Sequence, residues 1–432
     1  MYRVLDLLLA ALVLVCGAPL VVCLGLVMRV LRRRGPRRIV YLGTGQIAQV
    51  FPRNGVNLFL ERECSDFNGY FEQMWNVHFP AGARGALSLT PRHHLIDVDF
   101  ALPAAVQRFR RTTAALREML FLVWLLPFLA RARTTIVTAT NPYLQGVNAA
   151  LASRLLGLPY AVIITRDYDW DWSVLKKQAF ASVYPSQRLE RRVGRWVLRH
   201  AALVLADRRY YRDFAIRNGA AASRAVATRV LADDAYAHAS PSPRVRERFG
   251  LGGGPLLVYV GRLDADKFAL DLVECLARVR QRFPSVQLAC AGTGMLEGEM
   301  LRRALELGID DGLRLLGSVD LNELPSLITS SDVVVAPHMG YTLIEAGLTG
   351  TPIVTYDFDF HSEIIENGHS GYLVPLRDVA ALAERVCGLL ANPEHARAMG
   401  ATLRNRLLRE HSLEAVVPLY REAYDMALQG AA

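Results

Sequence analysis

Cysteine is sparse and unclustered. Cys16, Cys23, Cys64, Cys275, Cys290 and Cys387 form no Cys-x-x-Cys pair and no Cys/His group at metal-ligand spacing. That usage argues against a disulfide scaffold or a structural zinc site and fits a reducing compartment. Positive charge is also scarce outside one segment. Of the net +9, residues 1–38 supply seven Arg (3, 29, 32, 33, 34, 37, 38) against Asp6 alone, which leaves only about +3 for the rest. This is too little for a nucleic-acid partner. Charged residues are 21% and hydrophobic residues 52% of 432, which excludes a mostly disordered or fibrous chain and allows two or three domains.

Long apolar runs are present. Leu7 to Met28 holds 22 residues without a formal charge, followed by Arg29, Arg32, Arg33, Arg34, Arg37 and Arg38. At about 1.5 Å per residue the run reaches across a hydrocarbon core of roughly 30 Å. Basic residues on its far side predict a single-pass N-terminal membrane anchor, residues 1–38, with the remaining chain in the cytoplasm. A cleaved signal peptide would have a shorter apolar stretch, basic residues first and a small-x-small site after it. Gly17, Pro19 and Gly25 weaken the helix locally, which membrane helices tolerate. A second run, Met119 to Ala130, is too short to span. It reads either as a buried domain helix or as a surface that dips into lipid headgroups.

After residue 38 short apolar runs alternate with amphipathic stretches. Ile39–Leu42, Thr134–Thr140, Tyr160–Thr165 and Ala202–Ala206 read as strands of a first domain, 39–239. Leu256–Val260, Val286–Ala291, Val333–Ala336 and Ile353–Tyr356 read as strands of a second, 255–412. Such runs indicate parallel sheets covered on both faces. The Pro-, Gly- and Arg-rich stretch 240–254 is the expected linker. A closing helix, 413–432, is expected to pack back across both domains. The predicted architecture is α/β: two Rossmann-like, doubly wound domains facing a cleft, with ligands beyond the carboxyl ends of the strands.

Four features of the second half fall at such strand ends. Gly261-Arg262 and Lys267 follow one strand, and Gly292-Thr293-Gly294 follows the next. Pro337-His338-Met339-Gly340-Tyr341 follows a third and leads into a helix bearing Glu345. Glycines allow a backbone to approach phosphate, helix starts offer free N–H donors, and Arg with Lys supplies positive charge. A carboxylate near a helix start suits a ribose diol, although Thr342-x-x-Glu345 also fits a simple capping box. Together they describe a nucleotide diphosphate site, with Gly45 of the Gly43-Thr44-Gly45 bend as a further contact.

At these residues the sequence resembles the retaining glycosyltransferases of the GT-B fold that often build bacterial polysaccharides and glycolipids. The resemblance is best over 255–392, in VYVGRLDADK, ACAGTG, SSDVVVAPHMGYTLIEAGLTGTPIVTYD and HSEIIENGHSGYLVP. It is looser over 39–235, in TNPYLQGVNAALASRLLGLPYAVIITRDYD and ALVLADRRY. It implies that Arg262 and Lys267 contact the donor diphosphate and that Glu345, second in the family's Glu-x7-Glu pair, binds the ribose. The first Glu of that pair is Pro337 here, so His338 or the Met339-Gly340 backbone would take its place. Where the family often has a His after a first-domain strand, this chain has Arg166-Asp167. Asp167 or Asp169 would then touch donor sugar or acceptor, or else be acids of a polar loop.

The resemblance implies sugar transfer from a nucleotide-diphosphate sugar to a hydroxyl of a lipid-linked glycan or glycolipid at a bacterial inner membrane. No metal and no cofactor are expected, because two side-chain cations stand in for a metal at the diphosphate. Other membrane glycan-assembly proteins are possible partners. The competing expectations are a sugar-nucleotide epimerase on the same fold and a non-catalytic nucleotide-sugar-binding scaffold.

Overall fold

The computed structural model describes residues 2–32, 35–44, 67–173, 178–231 and 234–430. The chain forms two compact units, Met1–Arg229 with Val417–Ala432, and Val230–Val416.

The first unit carries an eight-stranded sheet in the order β3-β4-β2-β1-β5-β6-β7-β8. Its strands are β1 (Arg38–Gly43), β2 (Gln73–His78), β3 (Gly85–Thr90), β4 (His93–Asp97), β5 (Ile136–Ala139), β6 (Tyr160–Ile164), β7 (Leu203–Ala206) and β8 (Ala225–Ala227). All pairs are parallel except the β3–β4 hairpin. β5 and β7 are buried along their whole length, which is why they read as continuous apolar runs. β2 to β4 mix polar and apolar residues and carry no such signal; in β2 only Met74, Val77 and His78 are buried.

The closing helix, Leu413–Gln429, enters this unit from Val417. Val417, Ala423, Tyr424 and Ala427 join Ile39, Tyr41, Phe71 and Met74 in one core, and the Tyr424 and Tyr41 hydroxyls lie 3.1 Å apart.

Two helices are long and apolar enough to cross a membrane, Leu5–Leu31 and Arg110–Arg131. The second is a domain helix: Phe121, Leu122, Leu125, Leu126 and Leu129 are buried and no residue from 111 to 130 is exposed. The N-terminal helix, Tyr2–Leu31, does not stand apart from the domain. It packs along Arg110–Arg131 and touches the helix Leu144–Leu156. Gly17 and Gly25 lie in that contact. A Cβ on Gly17 would sit 1.6 Å from Met119 Sδ, and one on Gly25 2.7 Å from Leu155 Cβ. These glycines, read from sequence as local weaknesses, permit close helix approach.

The second unit has a six-stranded, all-parallel sheet in the order β11-β10-β9-β12-β13-β14. The strands are β9 (Leu256–Val260), β10 (Gln287–Ala291), β11 (Leu313–Gly317), β12 (Val333–Ala336), β13 (Ile353–Tyr356) and β14 (Tyr372–Val374). The stretch 240–254, expected as a linker, is instead a folded part of this unit. Pro243–Arg248 is helical, and Arg246 donates to the carbonyls of Gly252, Gly254 and Ser330. Its Pro and Gly residues serve a helix start and a turn, and the passage between units falls at Arg229–Val230.

Candidate functional site

In the second sheet the strand order reverses between β9 and β12. A doubly wound sheet opens a crevice at such a switch point, beyond the carboxyl ends of the two strands. The loops emerging there are the one bearing Gly261, Arg262 and Lys267, after β9, and Pro337–Tyr341, after β12. They touch directly: His338 Nδ1–H donates to Asp266 O at 2.8 Å.

The loop after β10 joins them by backbone contact. Gly292 has φ +147°, and a Cβ there would lie 1.9 Å from Gly261 O. A Cβ on Gly294 would lie 2.3 Å from Leu263 O. Glycine is therefore required at both positions because two protein loops pack against each other, before any phosphate is considered. Met295 N donates to Asp264 Oδ1 at 2.9 Å and fixes the same pair of loops. Gly340 differs, since a Cβ there would meet nothing within 4 Å. That side of the loop opens onto free space.

Arg262 is exposed and ion-paired to both Asp264 and Asp266, the latter at 2.7 Å. Lys267 ends the short 3-10 turn Ala265–Lys267 and is half-buried. The following residue, Phe268, is buried at φ +54°. A non-glycine residue in this left-handed region costs on the order of 1–3 kcal/mol, which its surroundings must offset. Phe268 packs edge-on against Tyr356 and Phe358, and the Arg377 guanidinium lies 5.3 Å from its ring centre. This clamp sets where Lys267 leaves the turn. Of the 50 basic residues only Lys176, Lys177 and Lys267 are lysines. In a chain that otherwise uses Arg, a Lys at this position presents a compact point charge.

Asp264-Ala265-Asp266 is an Asp-x-Asp tripeptide, and Asp357-Phe358-Asp359 is another. The first has both carboxylates on Arg262, and Asp359 Oδ2 lies 3.3 Å from His338 Nε2. Among the described residues no cluster of three or more His, Cys, Asp or Glu is placed to hold a metal.

Glu345 lies buried in the helix Thr342–Leu348. The capping-box alternative does not form: Tyr341 is the N-cap, with no side-chain cap bond, and the Thr342 hydroxyl donates instead to Val260 O at 3.4 Å. Met339 is buried and Tyr341 exposed. His338, expected beside the reacting centre, has both ring nitrogens facing protein acceptors and ties the β9, β12 and β13 loops together.

Sequence reasoning gave no role to His361. It is fully buried, with Nε2–H donating to Met339 O at 3.0 Å and Nδ1 beside the Thr355 hydroxyl at 2.6 Å. Burial, then the charge of neighbouring His338, pushes its pKa down to about 4.

In the first unit the sheet reverses between β1 and β5. Gly45, after β1, lies outside the described residues. Asp167, expected either to touch donor sugar or acceptor or to be an acid of a polar loop, has protein partners at both oxygens. Its Oδ1 accepts Asp169 N and Trp170 N at the start of the helix Tyr168–Ser173, and its Oδ2 pairs with Arg217 at 3.2 Å. Asp169 is held by Arg191 and Asn218. Both acids are thus bound within a polar loop, because a helix start and two cations lie next to them. Missed altogether was the buried pair His78 Nδ1–Asp97 Oδ1, 2.8 Å apart at the carboxyl ends of β2 and β4. It sits on strands that no apolar run announced.

Residues 242–406 match the family model of glycosyl transferases group 1. Alpha-D-kanosaminyltransferase of Streptomyces kanamyceticus is 28% identical over 331 residues, covering 72% of this chain and 79% of that protein. A GDP-mannose-dependent alpha-(1-6)-phosphatidylinositol monomannoside mannosyltransferase of Mycolicibacterium smegmatis is 31% identical over 173 residues, 38% of this chain and 45% of that one. Among solved structures, Anabaena Alr3699/HepE in complex with UDP superposes with a TM-score of 0.69 at 17% identity, over 90% of this chain and 99% of its own. The family match lies within the second unit, the relatives it resembles are glycosyltransferases, and the fold is the two-sheet GT-B fold.

Proposed function

We propose that this chain transfers a sugar, with retention of anomeric configuration, from a nucleotide-diphosphate sugar to a hydroxyl of a lipid-linked glycan or glycolipid. The observation that carries the reading is the meeting of the Arg262–Lys267 loop and the Pro337–Tyr341 loop at the switch point of the second sheet. Negative charge develops there on the departing diphosphate. Preorganised cations and backbone N–H groups stabilise such charge most where water is excluded. Arg262 and Lys267 supply the cations, the Gly340 loop supplies amides, and Glu345 takes the ribose. The Gly292 loop, expected to add amides, spends the N–H groups of Gly292, Gly294 and Met295 on Gly317 O, Glu297 and Asp264. Gly261, Gly294, Met339 and Tyr341 shape the same pocket. Two side-chain cations suffice for the diphosphate, so neither a metal nor a cofactor is assigned. The phosphatidylinositol mannosyltransferase among the relatives supports a lipid acceptor, and the apolar N-terminal helix supports a place at the membrane.

Pro337 favours a second reading. With no carboxylate at that position, the chain would hold a nucleotide sugar as a scaffold for another membrane glycan-assembly protein. Membranes carrying the protein, supplied with labelled UDP- and GDP-sugars, separate the two. Nucleotide release that requires added acceptor lipid supports transfer. Saturable donor binding with no release supports the scaffold, and conversion of the donor sugar itself would overturn both.

A further inference from the structure

A helix that crosses a bilayer alone is surrounded by lipid, whereas this one is fastened to its own domain from end to end. At its start Asp6, the only acid of residues 1–38, is buried. The Asp6 carboxylate accepts Thr112 N and the Thr112 hydroxyl, each at 2.9 Å, and Arg111 N at 3.1 Å. These are free N–H groups in the first turn of the helix Arg110–Arg131, whose own N-cap, Phe109, cannot accept them. The N-terminal helix therefore supplies the cap from outside. In mid-length Gly17 rests on Met119, and further on Gly25 rests on Leu155. At its end Arg32 donates to Leu156 O at 3.2 Å. Asp6, Ala10, Gly17, Val21 and Gly25 make one buried stripe at helical spacing.

The opposite face is apolar and bare: Leu8, Val15, Leu20 and Val30 are 63%, 70%, 63% and 85% exposed. A contiguous apolar face of this size marks an interaction surface. Arginines flank the helix pair at both ends. Arg108 and Arg110 are exposed at the start, and Arg29, Arg131 and Arg133 at the finish. A spanning helix carries its excess of basic residues on one side. If the docked helix spanned, Thr112 and the chain leading into it would lie across the bilayer from Arg131. Charge at both ends matches instead the anionic headgroups along a single leaflet.

We infer that the N-terminal helix does not cross the membrane but lies in one leaflet, docked on the Arg110–Arg131 helix, as the lipid-binding face of the first domain. This inference rests on the membrane association proposed above. It makes the attachment monotopic, with both chain termini on the same side.

The test uses the full chain, with one epitope tag ahead of Met1 and another after Ala432, in inside-out inner-membrane vesicles exposed to protease. Digestion of both tags on a membrane-bound protein is the expected result. Protection of the N-terminal tag with loss of the C-terminal one would overturn the in-plane helix and leave membrane association standing. Recovery of the protein in the soluble fraction would overturn both. Flotation of the purified protein with phosphatidylcholine vesicles, with and without 30% phosphatidylglycerol, supplies the second readout. Binding at least several-fold stronger to the anionic vesicles is expected, and equal binding would reject the role given to the arginines.

Discussion

His361 holds the backbone of the Pro337–Tyr341 loop from beneath, its Nε2–H bonded to Met339 O at 3.0 Å. Its pKa falls from 6.5 to about 4 because it is buried and lies beside His338. Between those values the unfolded chain takes up a proton that the folded chain refuses. Stability is therefore fully present above about pH 6.5 and declines as pH falls toward 4. The loss is on the order of 3 kcal/mol for a shift of this size. Calorimetry from pH 7.5 to 4 should show the transition of the second unit moving down across that window. In His361→Gln the transition should lie lower at pH 7.5 and lose most of its pH dependence. A wild-type slope retained in the variant would assign the effect to another group.

Asp266 is ion-paired to Arg262, so under the proposed assignment it would compete with the donor diphosphate for that guanidinium. Exposed ion pairs are worth about 0.2–1 kcal/mol, and neutralising one carboxylate also removes repulsion toward the ligand phosphates. Asp266→Asn should tighten nucleotide diphosphate binding roughly two- to five-fold at low salt, with the gain fading at high salt as screening grows. Isothermal titration with UDP and GDP at two ionic strengths measures it. Weaker binding would mean that the carboxylate positions Arg262 rather than competing for it.

Gly292→Ala places a methyl group 1.9 Å from Gly261 O in a backbone region that L residues avoid. The loops after β9 and β10 must separate for it to fit. A destabilisation of roughly 2 kcal/mol or more is expected, together with loss of donor binding. Gly340→Ala, whose Cβ meets open space, should fold normally. Any defect there should appear only in ligand affinity, and a thermal shift assay with and without nucleotide separates the two outcomes.

Much of this was legible in the sequence. The inner strands β5, β7, β9, β12 and β13 are buried on both faces, so each is a run of apolar or β-branched residues that stands out from its surroundings. The loops of the candidate site follow such strands, which is why Arg262, Lys267 and Glu345 stand out as candidates. The outer strands β2 to β4 hold many half-buried or exposed residues and no such run. His78, Asp97 and His361 escaped because their importance comes from partners distant in the chain. The docking of the N-terminal helix was hidden for the same reason. Ala10, Gly17 and Gly25 look alike in a helix facing lipid and in one facing another helix.

Asp167→Asn separates the two roles open to that residue, a loop acid or a contact with sugar or acceptor. Asn still accepts from Asp169 N and Trp170 N but loses the charge that pairs with Arg217. Burial raises the pKa of this carboxyl, partly offset by those backbone donors. The variant should therefore fold at a cost of about 1 kcal/mol or less, with turnover within a few-fold of the parent. A hundred-fold fall in turnover with unchanged thermal stability would place Asp167 at the reacting centre.

Lys267→Ala removes one of the two cations assigned to the leaving diphosphate. Lys267 is half-buried at the end of a turn whose geometry is set by Phe268, so truncation leaves the Phe268–Tyr356–Phe358 cluster in place and the fold intact. Loss of one preorganised charge stabiliser lowers turnover by about 100- to 1,000-fold. The effect should fall on kcat more than on KM, because the added charge develops in the transition state. Lys267→Arg keeps the charge but replaces a point cation by a planar fork, and should recover only part of the rate. Assays with matched UDP- and GDP-sugars and membrane acceptor, alongside melting curves for each variant, read both. Turnover near that of the parent for Lys267→Ala would remove this residue from the site.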